Sequence, residues 1–242
     1  MNIIWISSVD STNTYVKEHA DEVGPFVMVC AIEQTAGRGQ RGNSWESQPG
    51  RNLTFSFYIN NLGIAPGKQF RVSEAVALAM VALLREYGIE AKVKWPNDVY
   101  VGDKKIAGIL IENSIMGNCI QRSVVGIGLN VNQTRFISEA PNPVSMANIT
   151  GLNYPLEEIA EKAGLMLERY LKDIESEENA RRLHEEYLGG MWRRDDSLYP
   201  FLDVASGSKL MARIEDVEPT GHLILNDGEG RRRYAFKEVA FL

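Results

Sequence analysis

The stretch KIAGILIENSIMGNCIQRSVVGIGLNV, Lys105–Val131, holds two apolar runs of strand length, Lys105–Ile115 and Cys119–Val131, joined at Gly117-Asn118. Glycine and asparagine tolerate the positive φ that a tight turn between twisted antiparallel strands requires, so the two runs read as a long β-hairpin. The second run contains Gly126 and Gly128. Two residues apart, they share a face. Glycine inside a strand marks close approach of a ligand or of another backbone. The hairpin therefore predicts an antiparallel sheet with part of one face cleared.

Upstream, Asn52–Asn60 alternates: Leu53, Phe55, Phe57 and Ile59 share one face, while Thr54, Ser56 and Tyr58 share the other. This predicts a half-buried strand. Pro66–Tyr87 carries Val72, Ala75, Val76, Ala79, Met80, Leu83 and Leu84 at helical spacing and stops at Gly88, which predicts a helix packed on the sheet. Ala91–Trp95 predicts a strand, continued by Val99–Val101 to a turn at Gly102-Asp103. Asn2–Ile6 predicts a short strand, followed by a helical pattern through Ala20, and Phe26–Gln34 another strand.

Downstream, Gln133–Tyr154 reads as a long loop. Pro155–Ile174 and Glu177–Leu188 read as helices, the second charged and on the surface, with a break at Gly189-Gly190. From about Asp195 the texture changes to short β runs, Lys209–Ile214, His222–Leu225 and Arg233–Phe236, separated by turns. The expected architecture is α+β: a mixed, largely antiparallel sheet with helices on one side over residues 1–190, and a small appended β-barrel over 195–242.

A net charge of −6 argues against broad nucleic-acid binding, which shows as a basic domain. Cys30 and Cys119 both lie in apolar runs and read as buried thiols, without metal-ligand spacing. The N-terminus lacks the pattern of a signal peptide. No apolar run approaches the ~18 residues of a membrane span. A soluble, cytoplasmic protein is expected. His19, His184 and His222 all fall in exposed-looking stretches, so histidine acid–base chemistry is not expected.

The chemistry-bearing stretch is EQTAGRGQRGNSW, Glu33–Trp45, which follows an apolar strand. Glycines let backbone N–H groups approach an anion, Arg38 and Arg41 add guanidinium forks, and Trp45 offers a stacking face. The spacing is neither that of a P-loop nor that of a dinucleotide fingerprint. Ser11, Thr12 and Asn13 either cap the helix that follows or bind a small polar head group. Lys94 and Lys105 flank Asn97 and Asp98. Lys105 opens an apolar strand in which Gly108 clears space, so it is either a solvated strand-end charge, the usual case, or a group that sits over a phosphate and stabilises charge developing there. Asp98 can hold that lysine or a magnesium ion. Together these parts suit activation of a carboxylate by a nucleoside triphosphate.

Six segments, Ser11-Thr12-Asn13, Gln34–Gly39, Trp45, Lys94–Asp98, Lys105–Leu110 and Gly126–Asn130, resemble the biotin protein ligases in order and spacing. The resemblance runs over roughly residues 1–190, and the tail is similar to that family's SH3-like domain. It implies a class II aminoacyl-tRNA synthetase-like catalytic fold. It also implies a two-step reaction: biotin and ATP give biotinyl-5′-AMP with Mg2+, and a lysine of a biotin carboxyl carrier domain then takes the biotinyl group.

Carried over by position, Ser11, Thr12, Asn13, Gln34, Gly37, Arg38, Gly39, Lys105 and Gly108 would bind biotin. Arg38, Arg41, Trp45, Lys94, Asn97, Lys105 and Asn130 would bind nucleotide. Lys105, Asp98 and Arg38 would be catalytic, with Asp98 at the metal. Many members have arginine where this chain has Gln40, which shifts the phosphate clamp toward Arg38. The chain opens at the catalytic domain, without the winged helix of the repressor forms, so no DNA partner is expected. No membrane partner is expected either, and a homodimer formed through sheet edges is plausible. Competing readings are a lipoate or octanoyl ligase or transferase and a nucleic-acid or peptide-binding module.

Overall fold

Seven strands form the main sheet: β1 (Asn2–Val9), β2 (Val27–Gln34), β3 (Leu53–Asn60), β4 (Lys92–Lys94), β5 (Asp98–Val101), β6 (Lys104–Met116) and β7 (Cys119–Leu129). Their spatial order is β1-β2-β3-β7-β6-β5-β4, with β1 parallel to β2 and the other pairs antiparallel. The structure, a computed structural model, describes residues 1–137 and 142–242, with Arg41 by its backbone alone.

The helices are α1 (Thr12–Glu18), α2 (Ala20–Val23), α3 (Phe70–Glu86), α4 (Met146–Thr150), α5 (Leu156–Leu171) and α6 (Glu177–Gly189). The apolar stripe of α3 buries Val72, Ala75, Val76, Ala79, Met80, Leu83 and Leu84 completely, in one core with Met28, Cys30, Leu53, Phe55 and Phe57. Burying each larger side chain of this set is worth about 1.5–3 kcal/mol. The helices are not confined to one side. α1 and α2 cover the opposite face, where Val16 and Ala20 pack with Val29, Tyr58 and Val124. That second layer explains why β3 is buried from Leu53 to Ile59 rather than half-buried.

Three further expectations are corrected. Val99–Val101 does not continue the strand before it: β4 and β5 form an antiparallel hairpin turning through Trp95-Pro96-Asn97, with Lys94 opposite Asp98. The stretch Gln133–Tyr154 contains α4, begun by a capping box between Ser145 and Asn148. α6 is not a free surface helix, because Ala180, Leu183 and Tyr187 are buried, with Tyr187 edge-on to Phe70 at 5.5 Å.

The C-terminal segment forms a second antiparallel sheet from β8 (Tyr199–Asp203), β9 (Lys209–Val217), β10 (Leu223–Asn226), β11 (Arg231–Tyr234) and β12 (Val239–Phe241), in the order β11-β10-β9-β8-β12. β8 and β12 carried no legible sequence signal, being short and, in β8, interrupted by Pro200. The basic run Arg231-Arg232-Arg233 is neutralised in place by Glu215, Asp227 and Glu218 respectively. No helix among the described residues is long and apolar enough to cross a membrane.

The two sheets are joined by specific bonds. Trp95 Nε1 donates to Gly221 O at 2.9 Å and Trp192 Nε1 to Asp103 Oδ1 at 3.1 Å. His184 is not an isolated surface histidine: Nδ1 lies 2.7 Å from Glu74 on α3 and Nε2 lies 2.9 Å from Asp216 on β9. Cys119, expected to be buried, is instead exposed, where β7 leaves the Gly117-Asn118 turn of the β6–β7 hairpin. Cys30 is buried as expected, and burial pushes its thiol up.

The hydrogen bond to Glu74 raises the His184 pKa, against the downward pull of burial, and the Glu74 and Asp216 charges add to the rise. Burial in turn raises the Glu74 carboxyl, offset in part by His184 and Arg71. A histidine raised in the folded state stabilises fully below its unfolded value of about 6.5, and that contribution is lost as pH climbs through the folded pKa. Thermal melts of wild type and His184→Gln at pH 6 and pH 9 check this. The wild-type advantage should be about 1 kcal/mol at pH 6, roughly 2–4 °C for a chain of this size, and should shrink by pH 9. An equal gap at both pH values contradicts it.

Candidate functional site

Opposite α3, the main sheet is bare where Gly108 of β6 and Gly126 and Gly128 of β7 face outward, and a cleft of about 720 Å³ lies over them. A Cβ at Gly126 would lie less than 3.0 Å from the Asn13 amide, and one at Gly128 or Gly108 less than 3.0 Å from the Trp45 ring. These three positions need glycine because side chains from elsewhere lie directly on the backbone.

One end of the cleft is neutral and polar. Ser11, Thr12 and Asn13, where β1 gives way to α1, are all buried. Thr12 donates from N and Oγ1 to Gln34 Oε1 at 2.8 and 3.1 Å. Ser56 Oγ donates to Asn13 Oδ1 at 2.6 Å and lies 2.7 Å from Thr12 Oγ1. Asn13 Nδ2 donates to Glu112 Oε2 at 2.8 Å. Ser11 occupies the N-cap of α1, yet its side chain makes no capping bond.

Ser56 and Glu112 escaped the sequence reading. Both were reachable by strand parity: Ser56 lies on the polar face of β3, and Glu112 lies four residues beyond Gly108 on the same face of β6.

The other end is charged. Lys105 Nζ lies 2.7 Å from Asp98 Oδ1. Strict alternation would send Lys105 to the core face with Ala107 and Ile109. The β5–β6 register instead slips by one residue, pairing Val99 with Ala107 but Tyr100 with Lys105. This bulge takes up Ile106, and the Lys105 side chain falls over the glycine floor, where a Cβ at Gly108 would lie 3.3 Å from Nζ. The Lys105 backbone is clamped by Asn142 O at 2.9 Å and Val144 N at 2.9 Å. Asn130 Nδ2 donates to Val144 O at 3.1 Å, and its Oδ1 is buried without a protein partner. Asn97 Nδ2 donates to Ile109 O at 2.7 Å, holding the β4–β5 turn on β6.

Lys94 sits in an aromatic cage at the same end. Its Nζ donates to Tyr100 Oη at 2.9 Å and lies 4.3, 4.8 and 5.3 Å from the Tyr100, Trp192 and Phe241 ring centroids. Burial pushes the Lys94 pKa down, against the pull of the Asp98 carboxylate.

The glycine-rich loop folds back on itself between these ends. Trp45 N donates to Gly37 O at 2.9 Å, Gly39 N donates to Asn43 O at 2.7 Å, and Arg38 bridges Ser44. Trp45 is thereby laid on the floor, its ring centroid 5.5 Å from Lys105 Nζ and its Nε1 buried without a partner. Arg38 Nη2 pairs with Glu112 Oε2 at 3.2 Å. Burial pushes the Glu112 carboxyl up, but bonds from Lys17 and Asn13 and the charges of Lys17 and Arg38 outweigh it and hold it below the ordinary range.

Every site residue named from the sequence lines the cleft except Gly37, which braces Trp45 from behind, and Arg41, whose side chain lies outside the described residues. Among the described residues, no group of three or more His, Cys, Asp and Glu side chains could hold a metal ion unaided.

The model of the biotin/lipoate A/B protein ligase family matches residues 5–130. The chain is 30% identical over 243 residues to the biotin–[acetyl-CoA-carboxylase] ligase of Paracoccus denitrificans, covering 98% of this chain and 99% of that one.

The chain belongs to the biotin/lipoate A/B protein ligase family.

Within that family, the structure is similar to the biotin protein ligase from Aquifex aeolicus in complex with biotin and ATP. The TM-score is 0.79 and the identity 28%, covering 99% of this chain and 97% of that one. The bifunctional ligase/repressor BirA of Salmonella typhimurium is 34% identical over 142 residues, 58% of this chain and 44% of its own length. The chain thus spans less than half the length of that relative.

The family cleft of this chain is closed down by Trp45, which yields a direct test of the glycine floor. Gly128→Ala should push the indole off the sheet and red-shift the tryptophan emission without changing the far-ultraviolet circular dichroism. The shift should be absent in a Trp45→Phe background, and a shift that persists there places its origin elsewhere.

Proposed function

We propose that this chain is an ATP-dependent ligase that adenylates biotin to biotinyl-5′-AMP and transfers the biotinyl group to a lysine of a biotin carboxyl carrier domain. The observation that carries this reading is the sorting of chemistry along the cleft. The Ser11–Asn13 end offers neutral donors and acceptors, which suit an uncharged ureido head group. The Lys105–Asp98 end offers charge, which suits a carboxylate meeting a phosphate. The glycine floor between them takes an apolar tail.

On this reading a biotin carboxylate oxygen attacks the α-phosphorus of ATP. A P–O bond forms, the bond to the β-phosphate breaks, and pyrophosphate leaves. Lys105, held by Asp98 and by its clamped backbone, supplies fixed positive charge where negative charge gathers, with Arg38 as a second cation from the loop. In the second step the acceptor amine attacks the acyl carbon, the C–O bond to the phosphate breaks, and AMP and a proton leave. Trp45 and Asn130 line the nucleotide side, and exclusion of water by the loop protects the mixed anhydride.

Mg2+ fits as the partner of the triphosphate, for which it supplies charge neutralisation. Asp98 offers one carboxylate, and the remaining oxygen ligands come from phosphates and water, the usual arrangement for this ion. Residues 1–190 are the catalytic unit, and residues 195–242 form an SH3-like unit that closes the Lys94 side. The reading places the enzyme in the cytoplasm, with no role for DNA or a membrane, and admits a homodimer through the outer edge of β1.

Biotin-dependent ATP–pyrophosphate exchange tests the first step. Wild type should exchange, and Lys105→Ala should lose about 10²–10³-fold, the usual cost of removing one preorganised charge-stabilising donor. Exchange with lipoate but not biotin moves the assignment to the sister branch of the family. A second outcome follows from Gln40, whose Oε1 is buried without a partner. Gln40→Arg adds a phosphate-binding cation to the loop and should slow release of the adenylate by about 10-fold, read by rapid filtration. Unchanged release removes position 40 from phosphate binding.

A further inference from the structure

Glu112 is the one carboxylate that touches both the head-group pocket and the glycine-rich loop in the contacts above. Oε1 takes Lys17 Nζ at 2.6 Å, while Oε2 is shared between Asn13 Nδ2 at 2.8 Å and Arg38 Nη2 at 3.2 Å. Two cations and an amide compete for one unit of negative charge. Arg38 is the weakest held of the three by distance: Lys17 and Arg38 are about equally exposed, and the Arg38 bond is the longest.

On the biotin-ligase reading, a bound head group would polarise Asn13. Its Oδ1 already accepts from Ser56, and a ligand N–H added at the second lone pair strengthens the Nδ2–H bond to Oε2 through the amide. Oxygen Oε2 then gives more of its charge to Asn13, which weakens its hold on Arg38.

We propose that Glu112 is a positioning residue that couples the two substrates: it holds Arg38 at the head-group end, and uptake of biotin against Asn13 frees Arg38 for the phosphates. This rests on the biotin-ligase reading above. It explains why a glutamate stands behind Asn13, between Lys17 and Arg38. It also makes biotin the ligand that prepares the nucleotide site. Coupling of this kind is a ratio of affinities, so it can be measured apart from the affinities themselves.

The test is calorimetric binding of α,β-methylene-ATP, which cannot be adenylated onto biotin, with and without saturating biotin. In wild type, biotin should tighten the analogue by a factor in the usual coupling range of roughly 5–150. In Glu112→Gln, which keeps an acceptor for Asn13 but loses the charge that holds Arg38, the ratio should fall to within about two-fold of unity. The analogue alone should bind at least as tightly as it does to wild type. Lys17→Met, which disturbs only Oε1, should keep the wild-type ratio.

A Glu112→Gln variant that weakens both ligands yet keeps the ratio has lost a merely structural residue, and overturns the proposal. So does loss of the ratio in Lys17→Met. If Glu112→Gln does not fold, Arg38→Gln breaks the same link from the other end, and coupling that survives there overturns the proposal equally. Wild type that binds both ligands without coupling refutes this inference alone, whereas wild type that binds neither refutes the functional reading beneath it.

Discussion

The structure depends on one steric constraint: the Trp45 indole and the Asn13 amide can lie on the sheet only where the strands beneath them carry no side chains. Gly108, Gly126 and Gly128 meet that constraint on adjacent, antiparallel strands, with Gly108 directly opposite Gly128 and Leu110 opposite Gly126. Their other face belongs to the core, where Ala107, Ile109, Val125, Ile127 and Leu129 pack beneath α3. A strand with one bare face is weakened, and the same strands are secured by complete burial of the other. Stability and function are thus divided between the two faces of one hairpin. Parity fixes the division, because a slip of one residue would exchange the faces.

The bare strip fixes what its ends can be. Apart from Leu110 of β6, the side chains at the cleft stand at its margins: α1 at one side, the β4–β5 turn with the first residues of β6 at the other, and the loop folded over the top. The α1 margin is buried and carries hydroxyl and amide groups that satisfy one another through Ser56, so it costs little desolvation while keeping capacity for a neutral guest. The β4–β5 margin borders the C-terminal sheet and carries Lys94, Asp98 and Lys105. Two lysines near one carboxylate leave a surplus of positive charge where an anion would enter. The surplus is tolerable because Lys94 is shielded by three aromatic faces, which favour a cation without neutralising it.

The hairpin, the α3 stripe and the helix–strand order were legible because each rests on a local periodicity that burial then enforces. The glycine floor was legible for the same reason, since Gly126 and Gly128 had to share a face. What escaped were features set by register and by the second layer. The bulge at Ile106 that turns Lys105 toward the cleft leaves no composition signal, because Lys-Ile-Ala reads the same whether or not the register slips. The antiparallel return at Trp95-Pro96-Asn97 was hidden because a turn of so few residues resembles an interruption in one strand. Burial of both faces of β3 depends on α1 returning over it, a non-local fact. Ser56 was legible only as part of the polar face of a half-buried strand, and Glu112 was not singled out at all. His184 was passed over because its two partners lie 110 and 32 residues away.

These late-appearing contacts share a property. Ser56, Glu112 and His184 each bridge elements distant in sequence, and each does so with a polar bond rather than by packing. Apolar burial is non-directional and tolerates many arrangements, whereas a hydrogen-bonded bridge has one geometry. The apolar core therefore brings α1, the loop, β6 and the C-terminal sheet into proximity, and the polar bridges select which relative placement is occupied. Trp95 bonded to Gly221 and Phe241 packed over Lys94 extend the same logic to the second sheet, whose attachment completes one wall of the cleft. Phe236, Val239 and Phe241 line the charged end of the cleft while the rest of that sheet shares one core with the main sheet, so loosening the attachment would open that end to water and disturb the fold together.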